Sequence, residues 1–481
     1  MSVKLTNDPP TGVRAGLTRS YRWITQDMLE VVERPQYLPL LYTITFLYTV
    51  IQERRKFGPL GWTVPYEFNQ SDLQASIVFL QKYLYQADVR KPISWSTLRY
   101  MIGEVHYGGR VTDDFDRRLM DAYSESWLDS AIFEPEFEFH KNYGFPPLKV
   151  LEETQEWIDA LPLLDTPEIF GMHPNAELTY RAKQSREVLG TILQIQPKES
   201  GTGTGRTREE VVLDIAKDLL SKLPKSFDRY HVIDQIRKQG GRGKPLNVFL
   251  LQEVDCHQRV LSVIKTSLND LEQAIAGTII MNETLQGTLN SLFDALVPAT
   301  WARLSWPSPT LGYWYANVIK RVRQLHDWIE NGRPKAYWLT GFFNPQGFLT
   351  SVKQEMTRQF KWSLDTVVLR TDVQTAYKEG LTESPARGVY VYGIFLDGAG
   401  WDMEKGVLSN PQPKVLFTEL PVVHVHAQNT PLANMHKMYE CPVYTQPTRG
   451  TTAYIFNLAL PTTQPPRFWI VRGVAGLCSK V

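Results

Sequence analysis

Cysteine is scarce: Cys256, Cys441 and Cys478 are the only three in 481 residues. An odd count with no C-x-x-C pair excludes a disulfide scaffold and a paired-cysteine zinc module, and it fits a reducing compartment. A dominant sign of charge is absent too, since 52 Lys and Arg face 51 Asp and Glu. With no basic tail or stripe, nucleic acid is not expected as a partner. The N-terminal MSVKLTNDPP lacks the apolar core of a signal peptide. The longest membrane-like run is YLPLLYTITFLYTVI, Tyr37 to Ile51. As a helix it would reach about 22 Å, short of the ~30 Å hydrocarbon core. It also contains Pro39, Thr43, Thr45 and Thr49. It therefore reads as a buried helix of a soluble protein, and no membrane partner is expected.

What the sequence does have is apolar surface to bury. Hydrophobic residues make up 43% and aromatics 12%, including 13 Trp, enough for two or three globular domains. The first 330 or so residues carry helical periodicity. Ser71 with Gln74 has capping-box spacing, followed by Leu73, Ile77, Leu80 and Leu84 on one face. Residues 246–295 read as a helical hairpin broken near Gly277. A further stripe, Val318, Val322, Leu325 and Ile329, ends at Asn331-Gly332. Asn344-Pro345 opens one more helix.

Beyond it the texture becomes β-type. SLDTVVLRTDV, GVYVYGIFLDG, KVLFTELPVVHVHA, CPVYTQP, AYIFNLAL and RFWIVRGVAGL occupy about 120 residues, punctuated by turns such as Asp397-Gly398 and Arg449-Gly450. This spacing predicts a small antiparallel barrel or sandwich. The expected fold class is α+β: a helical bundle, a second helical subdomain, then a small antiparallel β-barrel.

Four clusters are candidates for chemistry. SGTGTGRTREE, Ser200 to Glu210, is glycine-rich, but a phosphate-binding loop needs GxxxxGK[ST] after a buried strand. Here Arg206 falls at the lysine position, and the preceding residues read as helix. Thr207 with Glu210 instead suits a capping box, ahead of Val212, Ile215, Leu219 and Leu223. GGRGKP, Gly240 to Pro245, fails as well, because proline stands where Ser or Thr must hold magnesium. Asp113, Asp114 and Asp116 could hold a cation. They also fit a helix N-terminus, neutralised by Arg117 and Arg118. His424 and His426 share one face of a strand and could share a metal, with His436 and Cys441 as further ligands. No nearby carboxylate stands out to orient them, so solvated or pocket histidines are the simpler reading. No GxSxG or HExxH motif occurs. The expected set of catalytic, cofactor-binding and metal-ligating residues is therefore none.

Five segments, LTNDPPTGVRAGLTRSY, ERRKFGPLGWTVPYEFNQSDL, GEVHYGGRVTDDFDRR, TPEIFGMHPNAELTY and PKAYWLTGFFNPQGFLT, occur in this order. Together they resemble the C-terminal end of a dynein heavy chain. GVYVYGIFLDGAGWD, KVLFTELPVVHV and FWIVRGVAGLC are similar to axonemal heavy chains, closest to the outer-arm type.

The resemblance implies that residues 1–160 form the helical lid of the sixth AAA+ module. Residues 161–340 would be the helical half of the C-terminal domain, and residues 341–481 a linking helix and β-barrel half. It implies a non-catalytic, ring-capping and regulatory part of a minus-end-directed microtubule motor of the ciliary or flagellar axoneme. ATP and magnesium would be bound in other modules of the parent motor and by no residue of this segment. Implied partners are neighbouring AAA+ modules, intermediate and light intermediate chains of the dynein complex, and microtubules through the parent motor. Two rival expectations stand beside it: a nucleotide-binding protein using the loop Gly201 to Thr207, and a β-barrel module binding a peptide or a metal.

Overall fold

A computed structural model of the protein describes residues 11–86, 91–195, 207–429 and 437–480. The glycine loop from Ser200 to Arg206, and His436, lie outside them. The polypeptide divides into two compact units. One comprises residues 1–188, 396–418 and 435–477; the other comprises residues 189–395, 419–434 and 478–481.

At the centre of the first unit is the helix Tyr37–Glu53, which is buried over nearly its whole length. Its threonines fit an apolar environment because each hydroxyl bonds inside the helix. Thr43 Oγ1 donates to the Pro39 carbonyl (2.8 Å), Thr45 to Leu41 (2.8 Å) and Thr49 to Thr45 (3.0 Å). Around it pack Val13–Tyr21, Gln70–Gln86, Asp114–Trp127 and Leu151–Asp159. Phe46 stacks on Phe139 with ring centroids 4.3 Å apart and meets Trp127 edge-on at 5.5 Å. The predicted stripe Leu73, Ile77, Leu80 and Leu84 is buried. The cap differs from expectation: this helix opens at Gln70, and the Asp72 carboxylate accepts from the Asn69 amide at 2.7 Å. With the helix starting at Gln70, Ser71 lies inside it, and Asp72 at the third helical position reaches back to the amide that precedes the helix.

The second unit is organised by the helix Pro245–Ile275, against which Arg208–Lys222, Glu283–Phe293, Leu311–Asn331 and Pro345–Phe360 pack. Thr207 and Glu210 form the expected capping box, the Thr207 hydroxyl accepting from the Glu210 amide at 3.2 Å. Val318, Val322, Leu325 and Ile329 are buried. Asn344 caps its helix by accepting from the Gly347 amide at 2.8 Å, with Pro345 in the first turn.

Among the described residues the strands are β1 Tyr337–Trp338, β2 Val368–Val373, β3 Val389–Tyr392, β4 Phe395–Asp397, β5 Gly400–Asp402, β6 Val407–Ser409, β7 Phe417–Glu419, β8 Val423–Gln428, β9 Met438–Tyr444, β10 Tyr454–Pro461 and β11 Ala475–Leu477. They form three sheets, ordered β1-β3-β8-β2, β10-β9-β11-β4-β7 and β5-β6. The expected antiparallel barrel is thus corrected: no closed barrel is found among the described residues, and the sheets are mixed. β1 runs parallel to β3, and β11 parallel to β9. Each parallel pair is separated in sequence by a helix, Pro345–Phe360 or Pro466–Val471, which supplies the long return that parallel pairing needs. The second of these helices takes in the first half of RFWIVRGVAGL, read from the sequence as one strand. Pro465 and Pro466 start a helix there, and only Ala475–Leu477 is extended.

Candidate functional site

Within the first unit, the segments that looked separate in the sequence meet at one buried cation. Arg54 is fully buried at the end of the central helix. Its Nε donates to the Gly61 carbonyl (2.7 Å), Nη1 to Tyr123 Oη (2.7 Å) and the Phe170 carbonyl (2.5 Å), and Nη2 to the Val471 carbonyl (2.6 Å). Tyr123 in turn donates to the Phe170 carbonyl at 2.7 Å. Burial lowers the basicity of Arg54, with the Tyr123 hydroxyl opposing. These hydrogen-bond acceptors are neutral, so oriented dipoles replace the hydration shell of the charge.

Further contacts fasten the C-terminal segments to the same unit. An added Cβ at Gly171 (φ +69°) would overlap Val471 Cγ1, and one at Gly473 (φ +67°) would overlap the Leu60 carbonyl. Arg449 pairs with Asp397 at 2.6 Å and donates to the Gly473 carbonyl at 2.7 Å. Burial raises the Asp397 carboxyl's pKa, and Arg449 opposes the shift. Asn175 Nδ2 donates to the carbonyls of Gln412 and Val415, both at 2.9 Å, and its Oδ1 accepts from the Lys414 amide at 3.0 Å. Phe115 packs against Tyr454 with centroids 5.4 Å apart. A cleft of about 850 Å³ in this unit is lined by interleaved acids and guanidiniums, among them Arg99, Glu125, Asp129, Glu168, Arg467 and Arg472. That mixture suits a polar contact face better than a ligand of one charge sign.

The aspartate cluster is built as a helix start. Asp113 accepts from the amides of Phe115 (2.9 Å) and Asp116 (3.2 Å). Asp116 is buried and accepts from the amides of Thr63 (2.9 Å) and Val64 (3.1 Å), while burial raises its pKa. Asp114 pairs with Arg117 at 3.2 Å. The three carboxylates thus have separate partners.

In the second unit, GFFN is held by an acid that the sequence does not single out. Glu253 is 2% exposed, and its two oxygens accept from the amides of Phe343 (2.8 Å) and Asn344 (3.0 Å). Burial raises its pKa, and the two amides oppose the shift. Arg321 lies nearby, its guanidinium 3.7 Å over the Trp306 ring. Burial pushes its pKa down to about 9. In the GGRGKP loop, the carbonyls of Gly241 and Gly243 accept from Asn247 Nδ2 (2.9 Å) and Arg358 Nη1 (2.8 Å). A phosphate cradle would instead aim its amides at the ligand.

His424 and His426 share a face of β8, as expected, with ring centroids 4.7 Å apart. The structure adds a carboxylate that the linear pattern hides: Asp372 of β2, whose Oδ2 is 3.6 Å from His426 Nδ1. Burial lowers the pKa of His426; His424 and Arg370 add to that, while Asp372 opposes it. Cys441 is buried in β9 of the first unit and is not part of this group.

Arg54, Glu253 and Asp372 are the residues that sequence reasoning missed. Arg54 and Arg55 are equivalent in the sequence until one of them is buried. For Asp372 a signal exists, since Arg370 and Asp372 alternate as His424 and His426 do. It becomes readable only when the register is known.

The fold defines a helical lid unit joined to mixed-sheet segments, and sequence comparison assigns both parts. A profile of the AAA lid domain of dynein heavy chains matches residues 37–176, and one of the C-terminal domain of dynein heavy chains matches residues 182–478. The protein belongs to the dynein heavy chain family. It is 49% identical over 478 residues to mouse dynein axonemal heavy chain 8, covering 99% of its own length and 10% of that protein. It is 47% identical over 479 residues to mouse dynein axonemal heavy chain 5, covering 99% and 10%. The gamma chain of the flagellar outer arm of Chlamydomonas reinhardtii is 43% identical over 495 residues, covering 100% and 11%. The sequence therefore spans about a tenth of the length of the relatives it matches.

Proposed function

We propose that this polypeptide is the non-catalytic, ring-capping and regulatory end of an axonemal dynein motor of the outer-arm type, at work in cilia or flagella. ATP binding and hydrolysis, and the grip on the microtubule, belong to other modules of the parent motor. The segment acts by stiffness: it biases which arrangements of neighbouring modules are populated, and so couples to the stroke without reacting. The observation that carries this reading is Arg54. One guanidinium joins the lid helix to residues 61, 123, 170 and 471, so that the lid helix and the C-terminal helix Pro466–Val471 of the same unit respond together.

The test has two arms. The purified protein should neither turn over ATP nor co-sediment with microtubules; clear signal in either overturns the non-catalytic reading. A full-length motor with the Arg54→Met substitution should show altered gliding velocity or microtubule-stimulated ATP turnover. An unchanged motor would remove Arg54 as the carrier of the coupling.

A further inference from the structure

We propose that Asp372, His424 and His426 form a binding site for a divalent transition-metal ion of the zinc class, bridging β2 and β8. The site is independent of the motor reading above and uses residues of the second unit only.

The ladder brings the groups together. Asp372 pairs in register with His424, and Arg370 with His426, while Tyr390 of β3 pairs with His424 from the other side. Side chains two apart on β8 point the same way, and the rings of His424 and His426 lie nearly parallel at 24°. One potential ligand atom from each of the three residues lies within 4.8 Å of the other two.

The hydrogen-bond pattern says which nitrogens are available. His424 Nε2 sits 2.7 Å from the backbone carbonyl of Arg387. A carbonyl can only accept, so Nε2 carries the hydrogen and Nδ1 of the neutral ring carries the lone pair. Histidine ligands are commonly oriented this way, by donating the other ring N–H to a carbonyl or carboxylate. His426 Nδ1 is enclosed and has no hydrogen-bond partner; an enclosed ring nitrogen left so is costly. A metal held by His426 Nδ1, the His424 imidazole and the Asp372 carboxylate gives that atom a partner.

Two imidazoles and one carboxylate match zinc, cobalt or nickel, and not calcium or magnesium, which take oxygen-rich shells. Three protein ligands leave a fourth position for water or an incoming side chain. β2 is an edge strand, so the ion would staple the edge of this sheet. Arg370 works against it: it lies across the ladder from His426 and presents a positive charge to a dication. Arg387 has its guanidinium 4.7 Å over the Phe360 ring.

The experiment uses the full 481-residue protein, stripped with chelator, and titrates cobalt by visible absorption and zinc by calorimetry. One ion per molecule is expected, with the absorption of a nitrogen- and oxygen-ligated cobalt. Affinity should fall at least ~10-fold in His424→Ala, His426→Ala and Asp372→Asn, and rise ~3-fold or more in Arg370→Gln. Zinc at ~100 times Kd should raise Tm by about 5 °C in the wild type and not in the histidine variants. Circular dichroism of each apo variant separates lost binding from lost fold. The proposal is overturned if no ion binds more tightly than millimolar. It is equally overturned if folded His426→Ala and Asp372→Asn bind like the wild type, because the ion then sits elsewhere.

Discussion

Arg54 and Val471 stand 417 positions apart in the sequence and are joined by a hydrogen bond of 2.6 Å. The bond ties the end of the lid's central helix to the helix Pro466–Val471 and the strand that follows. It is one of four that the guanidinium makes in the interior.

Arg54→Met keeps most of the volume and strands the carbonyls of Gly61 and Val471, while the Phe170 carbonyl keeps the Tyr123 hydroxyl. The expected loss is roughly 3–5 kcal/mol of unfolding free energy in the first unit. Arg54→Lys should recover only part of it, since one ammonium cannot reproduce the planar fork. Denaturant melts give the magnitude. Hydrogen exchange at residues 475–477 should quicken in both variants, and unchanged protection there would mean the contact is not limiting.

Gly473→Ala places a Cβ against the Leu60 carbonyl at a left-handed backbone position. Strain and clash together should cost about 2–3 kcal/mol. Gly406→Ala is a comparison with positive φ but open space around the Cβ, and it should cost only about 1 kcal/mol. Equal effects in the two variants would show that the close approach to Leu60 carries no weight.

Glu253→Gln replaces one accepting oxygen by an NH2 group that faces a backbone amide. A loss of roughly 2–3 kcal/mol is expected in the second unit. The near-ultraviolet circular dichroism of the Trp306 and Phe343 environment, whose rings lie 5.6 Å apart, should change with it. A variant as stable as the wild type would mean that the GFFN turn is held by its phenylalanines alone.

His257 makes stability depend on pH. Burial lowers its pKa from 6.5 to about 3; the Arg321 charge adds to the shift, and the bond from Nδ1 to the Glu253 carbonyl (2.8 Å) opposes it. The unfolded state therefore takes up the proton first. The stabilisation is present in full above pH 6.5 and is lost as pH falls from there towards 3. Glu253, with its raised pKa, pulls the other way, so the readout is a difference. Wild type minus His257→Gln should lose about 1.4 kcal/mol per pH unit below ~6.5. Parallel curves between about pH 7.5 and 4.5 would contradict it.

Much of this protein was legible in the sequence. Helices with a clear apolar stripe, such as those around Leu73 and Val318, form where periodicity puts them, and the Thr207 and Asn344 caps act as their side-chain chemistry dictates. The phrases that marked the dynein family were readable as strings, and their match owes nothing to folding. Short β-runs were less legible: alternation shows that a segment is extended, but it does not name its neighbour or direction. Hence the mixed sheets replaced the expected antiparallel barrel, and FWIV became a helix behind its prolines.

Local chemistry along the polypeptide determined where helices start, which faces are greasy and which family the protein joins, because these depend on residues a few positions apart. Tertiary structure alone decided that Arg54 and not Arg55 is the buried cation, that Glu253 closes the GFFN turn, and that Asp372 stands beside two histidines. Each of those pairings joins residues far apart in sequence, and only the packing of elements sets which charge loses its water and which group replaces it.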